Sequence, residues 1–278
     1  MILILHDNDF TMLKFTRFLL EKNFPFIEIK LKSLFRSIKV NSTLSSINKQ
    51  CKWYKNEDII NFSDIKGIYH NFYYPSKDHF LDFEDRDIEY TREEWHSYLL
   101  YELSQHNNCI NPVDHSFFNV NNLNFIKIYK VCQDLTIEVP EHYIISPNNT
   151  ESFDGYILKS SISEFSDYSD FNLSEFHSPI IAIKRYVGAQ IFVFIIGNAI
   201  IARVRYKDCE EDYIIPNYLA EKLLALNKKL KTRVSEMFLI KTLENKYILY
   251  HVSEKPKWNL LNKQLDIVWD SLYKLLVM

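Results

Sequence analysis

The sequence predicts a mixed α/β protein, and two observations support this fold class. The chain opens with a strand–helix–strand order, in which an apolar run at Met1–Leu5 and an alternating segment at Phe26–Leu31 flank helically spaced apolar residues over Thr11–Lys22. Two later pairs of strand-like segments meet at turn residues, the first at Gly197-Asn198 and the second at Glu244-Asn245. Short strands mixed with helices are typical of proteins in which helices cover β-sheets.

The remaining elements follow from the same patterns. Thr91 and Glu94 form a capping-box pattern, which predicts a helix over Thr91–Gln105. Apolar spacing predicts three more helices, over Asn124–Leu135, Asn217–Leu230 and Lys263–Leu276. Further strands are predicted at Ile65–Phe72, Tyr143–Ile145, Gly155–Lys159, Ile180–Tyr186, Gln190–Ile196, Ala199–Tyr206, Phe238–Leu243 and Lys246–Val252. The polar, serine-rich segment Ser160–Ser178 is expected to be a mobile loop.

Charge and hydropathy exclude two classes of partner. Lys+Arg 33 against Asp+Glu 36 gives a formal net charge of −3, which is no basic footprint for nucleic acid. The longest apolar stretch, Ile191–Ala202, is interrupted by Gly197-Asn198 and is shorter than the ~20 residues that a membrane helix needs. We therefore expect neither a nucleic-acid partner nor a membrane partner.

Cysteine and glycine usage exclude two kinds of site. Cys51, Cys109, Cys132 and Cys209 are scattered without a CxxC pair, which indicates neither a zinc ribbon nor a disulfide framework. This usage favours a reduced, cytoplasmic setting. The chain has only 4 glycines, which excludes a glycine-rich phosphate loop because such loops need glycine for close backbone approach.

Five segments after Ile110 carry polar or turn residues in a fixed order. They are Asn111-Pro112 ahead of the helix that holds Lys127, TIEVPEHYIIS at 136–146, YILK at 156–159, SPIIAIKRYVGAQIFVFIIGNAIIARV at 178–204 and FLIKTLENKYILYHVSEKPKW at 238–258. This order resembles the ATP-grasp superfamily. The most similar branch is the peptide-maturing ligases that form graspetides, including the grasp-with-spasm type.

The resemblance implies a fold, a domain organisation and a nucleotide site. It implies a small N-terminal α/β pre-grasp domain at residues 1–108, a central lobe at 109–182 and a C-terminal lobe at 183–278, with two α+β lobes around a cleft. It also implies that ATP is the cofactor. Lys127 and Lys159 match the lysines that neutralise the nucleotide phosphates, and Lys184 lies where the adenine-side hinge begins.

The usual magnesium ligands of the family are missing from the matching positions. The aspartate position is Phe238, the glutamate position is His251 and the asparagine position is Ser253. Magnesium is therefore not expected at these positions, because Mg²⁺ prefers oxygen ligands. His251 and Ser253 remain the candidates for a catalytic role, since alternation places them on one side of a strand. A displaced metal set would consist of Glu236, Asp212 and Glu254.

Three functions are consistent with this pattern. The first is a degenerate ATP-grasp-like component of ribosomal peptide (RiPP) maturation that performs no catalysis and binds a precursor peptide or a catalytic paralogue. The second is an active ATP-dependent ligase that joins a carboxylate to an amine or hydroxyl and so forms amide or ester crosslinks on a peptide. The third is an unrelated α/β scaffold or binding protein. Under the first two, the resemblance implies a homodimer or heterodimer.

Overall fold

The computed structural model describes residues 1–7, 9–44, 49–55, 58–70, 74–110, 125–145, 155–160, 180–206 and 209–278. The chain divides into two compact units, one formed by Met1–Val120 with Leu261–Met278 and the other by Asn121–Leu260. Asn111-Pro112, which is part of the resemblance, lies outside the described residues, and so does the predicted mobile loop after Ser160. No helix in the described part of the chain has both the length and the hydrophobicity that crossing a membrane requires.

The helices and strands occur in this order along the chain. The helices are α1 (Phe10–Glu21), α2 (Leu31–Ser37), α3 (Asp85–Ser104), α4 (Phe125–Asp134), α5 (Asn217–Lys229) and α6 (Leu265–Val277). The strands are β1 (Ile2–His6), β2 (Phe26–Lys30), β3 (Ile38–Leu44), β4 (Lys49–Lys55), β5 (Asp58–Asn61), β6 (Gly67–His70), β7 (His142–Ile145), β8 (Tyr156–Ser160), β9 (Ile180–Lys184), β10 (Gly188–Ile196), β11 (Ala199–Tyr206), β12 (Cys209–Asp212), β13 (Val234–Thr242) and β14 (Tyr247–Ser253).

The first unit contains a parallel sheet in the order β2-β1-β6 and an antiparallel sheet in the order β3-β4-β5. Every residue of β1 is buried, as expected for a central parallel strand that is covered on both faces. One side packs in a core cluster with Phe80 and Leu99. On the other side, Phe15 of α1 contacts Tyr69 of β6 and Trp269 of α6.

The C-terminal helix α6 belongs to this first unit, whereas the domain organisation expected from the sequence grouped it with residues 183–278. A Cβ atom at Gly67 would lie 2.1 Å from the carbonyl oxygen of Leu276, so glycine permits the close approach of α6 to β6. The side-chain amide of Asn108 donates to that same oxygen at 2.6 Å and to the carbonyl of Lys66 at 2.9 Å.

Helix α3 begins six residues earlier than the capping-box pattern predicted. Thr91 lies inside the helix and caps nothing; the predicted start is wrong. The first turn instead carries Asp85 and Asp87, and negative charge at a helix N-terminus interacts favourably with the helix dipole. The helix therefore begins in an acidic segment, where the spacing of apolar residues does not predict a helix.

The second unit contains two antiparallel sheets. The larger has the order β12-β11-β10-β13-β14 and the smaller has the order β7-β9-β8. Both predicted hairpins are confirmed, and their turns contain residues with positive φ: Gly197 at 60° and Asn245 at 61°. Helices α4 and α5 cover one face of the larger sheet through a core cluster that includes Cys132, Leu223 and Met237. The opposite face carries the residues of interest.

Candidate functional site

The face of the larger sheet opposite α4 and α5 presents one row of side chains across adjacent strands. Residues opposite one another in the register are Arg203 on β11, Phe192 on β10, Phe238 on β13 and His251 on β14, with Asp212 at the β12 end of the row. We call this set the cross-strand row. Because side chains alternate along a strand, Glu236 and Ser253 lie on the same face, two residues along.

Phe238 occupies the position of the expected metal-binding aspartate and forms apolar contacts there. Its ring centroid lies 5.1 Å from that of Phe192 and 5.9 Å from that of Tyr250. The register shifts next to Phe238: His251 is its partner, and Leu239 pairs with Leu249. Tyr250 is therefore the extra residue of a β-bulge, and a bulge re-aims the side chains beside it.

Tyr250 is buried and forms two hydrogen bonds to the backbone at the end of β9. Its hydroxyl accepts a hydrogen bond from the Tyr186 amide and donates one to the Lys184 carbonyl, both at 2.8 Å. Burial is the main cause that raises the pKa of Tyr250, to about 12, while the Tyr186 amide opposes the shift. The hydroxyl therefore keeps its proton at neutral pH and remains a donor.

Glu236 is a buried carboxyl group that receives a backbone hydrogen bond. Its Oε2 accepts from the Lys257 amide at 2.5 Å. Burial raises the pKa of Glu236, and this effect exceeds the opposing influence of the Lys257 amide. Ser253 binds the same segment, because its hydroxyl accepts from the Lys255 amide at 3.1 Å and donates to the Lys255 carbonyl at 3.2 Å. Both side chains thus hold the segment that follows β14.

Two arginines of β11 are paired with acids of the edge strand β12. Arg203 is buried and forms an ion pair with Asp212, and it also donates to the Glu210 carbonyl at 2.9 Å. Arg205 binds the Glu210 carboxylate at 2.6 Å and lies 5.1 Å from the ring centroid of Phe192. Sequence reasoning missed these arginines, although the alternation of Arg203-Val204-Arg205 within a predicted strand places both side chains on one face.

The structure does not bring the alternative acidic set together. Asp212 lies on β12 and Glu236 on β13, three strand positions apart in the sheet order. With a strand spacing of ~4.8 Å, their backbones are ~14 Å apart. Glu254 follows β14 in a half-buried position. Within the described ranges, no group of three or more His, Cys, Asp or Glu side chains is arranged to hold a metal ion.

The three predicted nucleotide lysines lie in different environments. Lys127 is exposed on α4. Lys159 lies on β8 opposite Ile181, and its side chain is outside the described part of the chain. Lys184 donates to the Glu141 carboxylate at 2.8 Å, and Glu141 also accepts from the hydroxyls of Tyr143 and Tyr156.

This cluster on the smaller sheet shifts the pKa of its acid and its base in opposite directions. The hydrogen bond from Lys184 is the largest cause that lowers the pKa of Glu141, to about 2. Conversely, the hydrogen bond with Glu141 raises the pKa of Lys184. The ammonium group that the sequence assigned to the hinge is therefore held by an internal carboxylate.

Comparison with solved structures identifies the fold. No protein-family model and no curated protein sequence matches the chain. A RiPP-associated ATP-grasp ligase of Chryseobacterium gregarium, in complex with ADP and a leader and core peptide, has 13% sequence identity and a TM-score of 0.80, and the match covers 99% of this chain and 96% of that chain. The macrocyclase MdnC of Microcystis aeruginosa MRC, bound with precursor peptide MdnA, has 12% identity and a TM-score of 0.79, with 100% of both chains covered.

A more distant ligase matches less well. The D-alanine–D-alanine ligase of Bacillus anthracis, complexed with ATP, has 13% identity and a TM-score of 0.54, and the match covers 99% of this chain and 94% of that chain. The predicted ATP-grasp-like fold is therefore confirmed, and it is similar to the fold of the peptide-maturing ligases. At these identities the similarity establishes the fold alone.

Proposed function

We propose that this protein is a peptide-binding component of ribosomal peptide maturation that has the ATP-grasp fold but does not catalyse magnesium-dependent ligation. The observation that carries the proposal is the packing of Phe238 against Phe192 and Tyr250 on the sheet face opposite α4 and α5. An aromatic cluster occupies the position to which the resemblance assigns a metal-binding carboxylate.

The residues present do not fit Mg²⁺ at the positions that the resemblance assigns. Mg²⁺ requires near-octahedral oxygen ligands at ~2.1 Å. Phe238 offers no ligand atom, His251 offers an imidazole, and the Ser253 hydroxyl binds the Lys255 backbone. Glu236 could supply oxygen, but its carboxyl group is buried and holds the Lys257 amide. A metal ion there would have to displace existing contacts and pay for its own dehydration.

A peptide partner is supported by the fold and by the complexes in which similar structures were determined. The Chryseobacterium gregarium ligase was solved with a leader and core peptide, and MdnC was solved with its precursor peptide. In this chain we infer that the partner is a precursor peptide, a catalytic paralogue or both. Homodimer or heterodimer formation and a cytoplasmic location are part of the same proposal.

The test compares ATP turnover with peptide binding in the purified full-length protein. A panel of synthetic precursor peptides serves as probes, and binding is measured by fluorescence anisotropy. ADP release is measured with and without Mg²⁺. We expect micromolar binding of one peptide and no magnesium-dependent ADP release above the level of a Lys159→Ala variant.

Two results would overturn the proposal. Magnesium-dependent ADP release that Lys159→Ala abolishes would establish the active ligase, and mass spectrometry of the peptide would then show loss of water. Absence of both peptide binding and turnover would favour a scaffold or binding role outside peptide maturation. The variant Phe238→Asp is the matched probe of the metal position. One carboxylate is not expected to produce turnover, because His251 supplies no ligand oxygen and the Ser253 hydroxyl is bonded to the Lys255 backbone.

A further inference from the structure

The antiparallel sheet β3-β4-β5 has one face that packs on α3 and one face that points away from it. On the packed face, the indole N–H of the fully buried Trp53 donates to the hydroxyl of Tyr98 at 2.8 Å. The Ser42 hydroxyl donates to the buried Glu102 at 2.6 Å. Because side chains alternate along a strand, their neighbours lie on the other face. We call it the outer face, and its residues are Lys39, Tyr54 and Ile59 in one row across the strands and Asn41, Lys52 and Asn61 in the next.

The outer face presents an aromatic ring at its centre and is exposed on both sides of it. Tyr54 lies on the central strand β4 and is half-buried. Lys39, its neighbour on β3, is exposed, and Ile59, its neighbour on β5, is 56% exposed. A tyrosine ring beside an exposed isoleucine offers a flat apolar surface, and tyrosine is enriched where proteins bind their partners.

The outer face carries positive charge in a protein that is negatively charged overall. The chain has 36 acidic residues and a formal net charge of −3, yet no residue of the two rows is acidic. Lys39 and Lys52 stand diagonally on adjacent strands, where Cα atoms are ~7–8 Å apart. Neither lysine forms an ion pair with a carboxylate in the described part of the chain. Asp64, which follows β5, instead accepts a hydrogen bond from the side-chain amide of Asn61 at 3.3 Å.

Charge discriminates among the occupants of such a face. A second copy of the chain, packed face to face, would bring one lysine pair against another, and like charges oppose association. A nucleic acid would be repelled by the net negative charge of the protein, and one lysine pair is less than the basic patch that binds a phosphate backbone. An acidic peptide segment satisfies both lysines with its carboxylates, and an apolar side chain next to them covers the ring of Tyr54.

We propose that the outer face of β3-β4-β5 binds an extended acidic peptide segment. Its carboxylates pair with Lys39 and Lys52, and its apolar or aromatic side chain packs on Tyr54 and Ile59. This inference rests on the proposed function for the class of partner, a peptide, and deepens it by assigning a contact surface in the first unit. Salt screens exposed charges, so binding weakens as the ionic strength rises.

The test measures binding of three labelled peptides to the full-length protein by fluorescence anisotropy. The acidic probe alternates glutamate with leucine and phenylalanine, and the other two probes carry glutamine or lysine in place of glutamate. We expect the wild type to bind the acidic probe at least ~10-fold more tightly than the other two. The double variant Lys39→Glu/Lys52→Glu should reverse this order and bind the lysine probe best. The control Lys32→Glu/Lys228→Glu makes the same change in net charge at exposed positions outside the sheet and should keep the wild-type order.

Equal binding of the acidic and glutamine probes would overturn the proposal, and so would an equal loss of affinity in the double variant and in its control. Tighter binding of oligodeoxythymidine than of the acidic probe would also overturn it and assign the face to nucleic acid. Lys39→Gln/Lys52→Gln is the second variant. It should weaken binding of the acidic probe without a gain for the lysine probe, and unchanged binding of the acidic probe would contradict the proposed contact.

These measurements fail separately from the test of the proposed function. A precursor peptide that binds the wild type and Lys39→Glu/Lys52→Glu equally would overturn this inference and leave the proposed function intact. Charge-dependent binding of the probes without binding of any precursor peptide would overturn the proposed function and support the assignment of the outer face.

Discussion

Glu236→Gln is expected to change how the stability of the protein depends on pH. The Glu236 carboxyl group is buried, and burial raises its pKa above the ordinary value of 4.5. The folded state therefore binds this proton more tightly than the unfolded state does. The stability that Glu236 contributes is fully present below pH 4.5 and is lost as pH rises through the pKa of the folded state. Glutamine stays neutral throughout and can still accept the hydrogen bond from Lys257.

The size of the effect follows from linkage. Between pH 4.5 and the pKa of the folded state, each pH unit removes at most ~1.4 kcal/mol of unfolding free energy from the wild type relative to the variant. The amide that glutamine introduces needs an acceptor, and an unsatisfied buried donor costs ~1–3 kcal/mol. That cost does not vary with pH. The slope of the difference, not its absolute value, is therefore the diagnostic quantity.

The measurement is urea unfolding of both proteins at several pH values from 4 to 8. Glu221→Gln, which makes the same substitution at an exposed position of α5, is the control for the change in net charge. We expect the wild type to lose stability relative to Glu236→Gln as pH rises, and no such trend for the control. The reasoning is refuted if the difference in unfolding free energy between the wild type and Glu236→Gln does not change with pH, or if it favours the wild type at higher pH. Burial would then not destabilise the Glu236 carboxylate. Loss of the trend when Mg²⁺ is added would identify Glu236 as a metal ligand.

Three further predictions concern other parts of the second unit. The pKa of Glu141 should be about 2 in an NMR titration, and it should move toward 4.5 in Lys184→Met. The stability that the Glu141 carboxylate contributes is present above pH 4.5 and is lost as the pH falls through about 2. Gly188→Ala should lower the unfolding free energy by at least ~2 kcal/mol in urea, because its Cβ would lie 2.1 Å from the carbonyl oxygen of Lys241 and force β10 from β13. A thiol reagent should label Cys209 first, since it alone among the cysteines is exposed, and Cys209→Ser should remove this fast phase.

The sequence predicted the elements whose signals are local. Both hairpins were found because their turns carry Gly197-Asn198 and Glu244-Asn245, which tolerate the positive φ that such turns require. The start of α3 was misplaced, because a capping-box pattern at Thr91 occurs by chance inside a helix that acidic residues begin earlier. The antiparallel sheet β3-β4-β5 was not predicted, since its strands carry mixed polar residues and its pairing depends on contacts that no short window contains.

The candidate site was predictable in part. The resemblance predicts that Phe238, His251 and Ser253 stand at positions where the family carries metal ligands, and the register places all three on one face of adjacent strands. The role of Tyr250 was not predictable. Its partners are 64 and 66 residues away in the sequence, and its orientation depends on a β-bulge that shifts the register by one residue. Nothing in the local sequence specifies that irregularity.

The contacts on this sheet face depend on one another. An aromatic side chain at position 238 makes the neighbouring surface apolar, and an apolar surface favours burial of the Tyr250 ring. A buried tyrosine hydroxyl must find hydrogen-bond partners, and the Lys184 carbonyl and the Tyr186 amide supply both an acceptor and a donor. Those backbone groups are satisfied by the same contact. Restoring one carboxylate would therefore place a charge beside an apolar cluster without supplying the remaining ligands. Under the proposed function, metal binding would require changes at positions 238, 250, 251 and 253 together, which is why we expect the single substitution Phe238→Asp to cost stability and to produce no turnover.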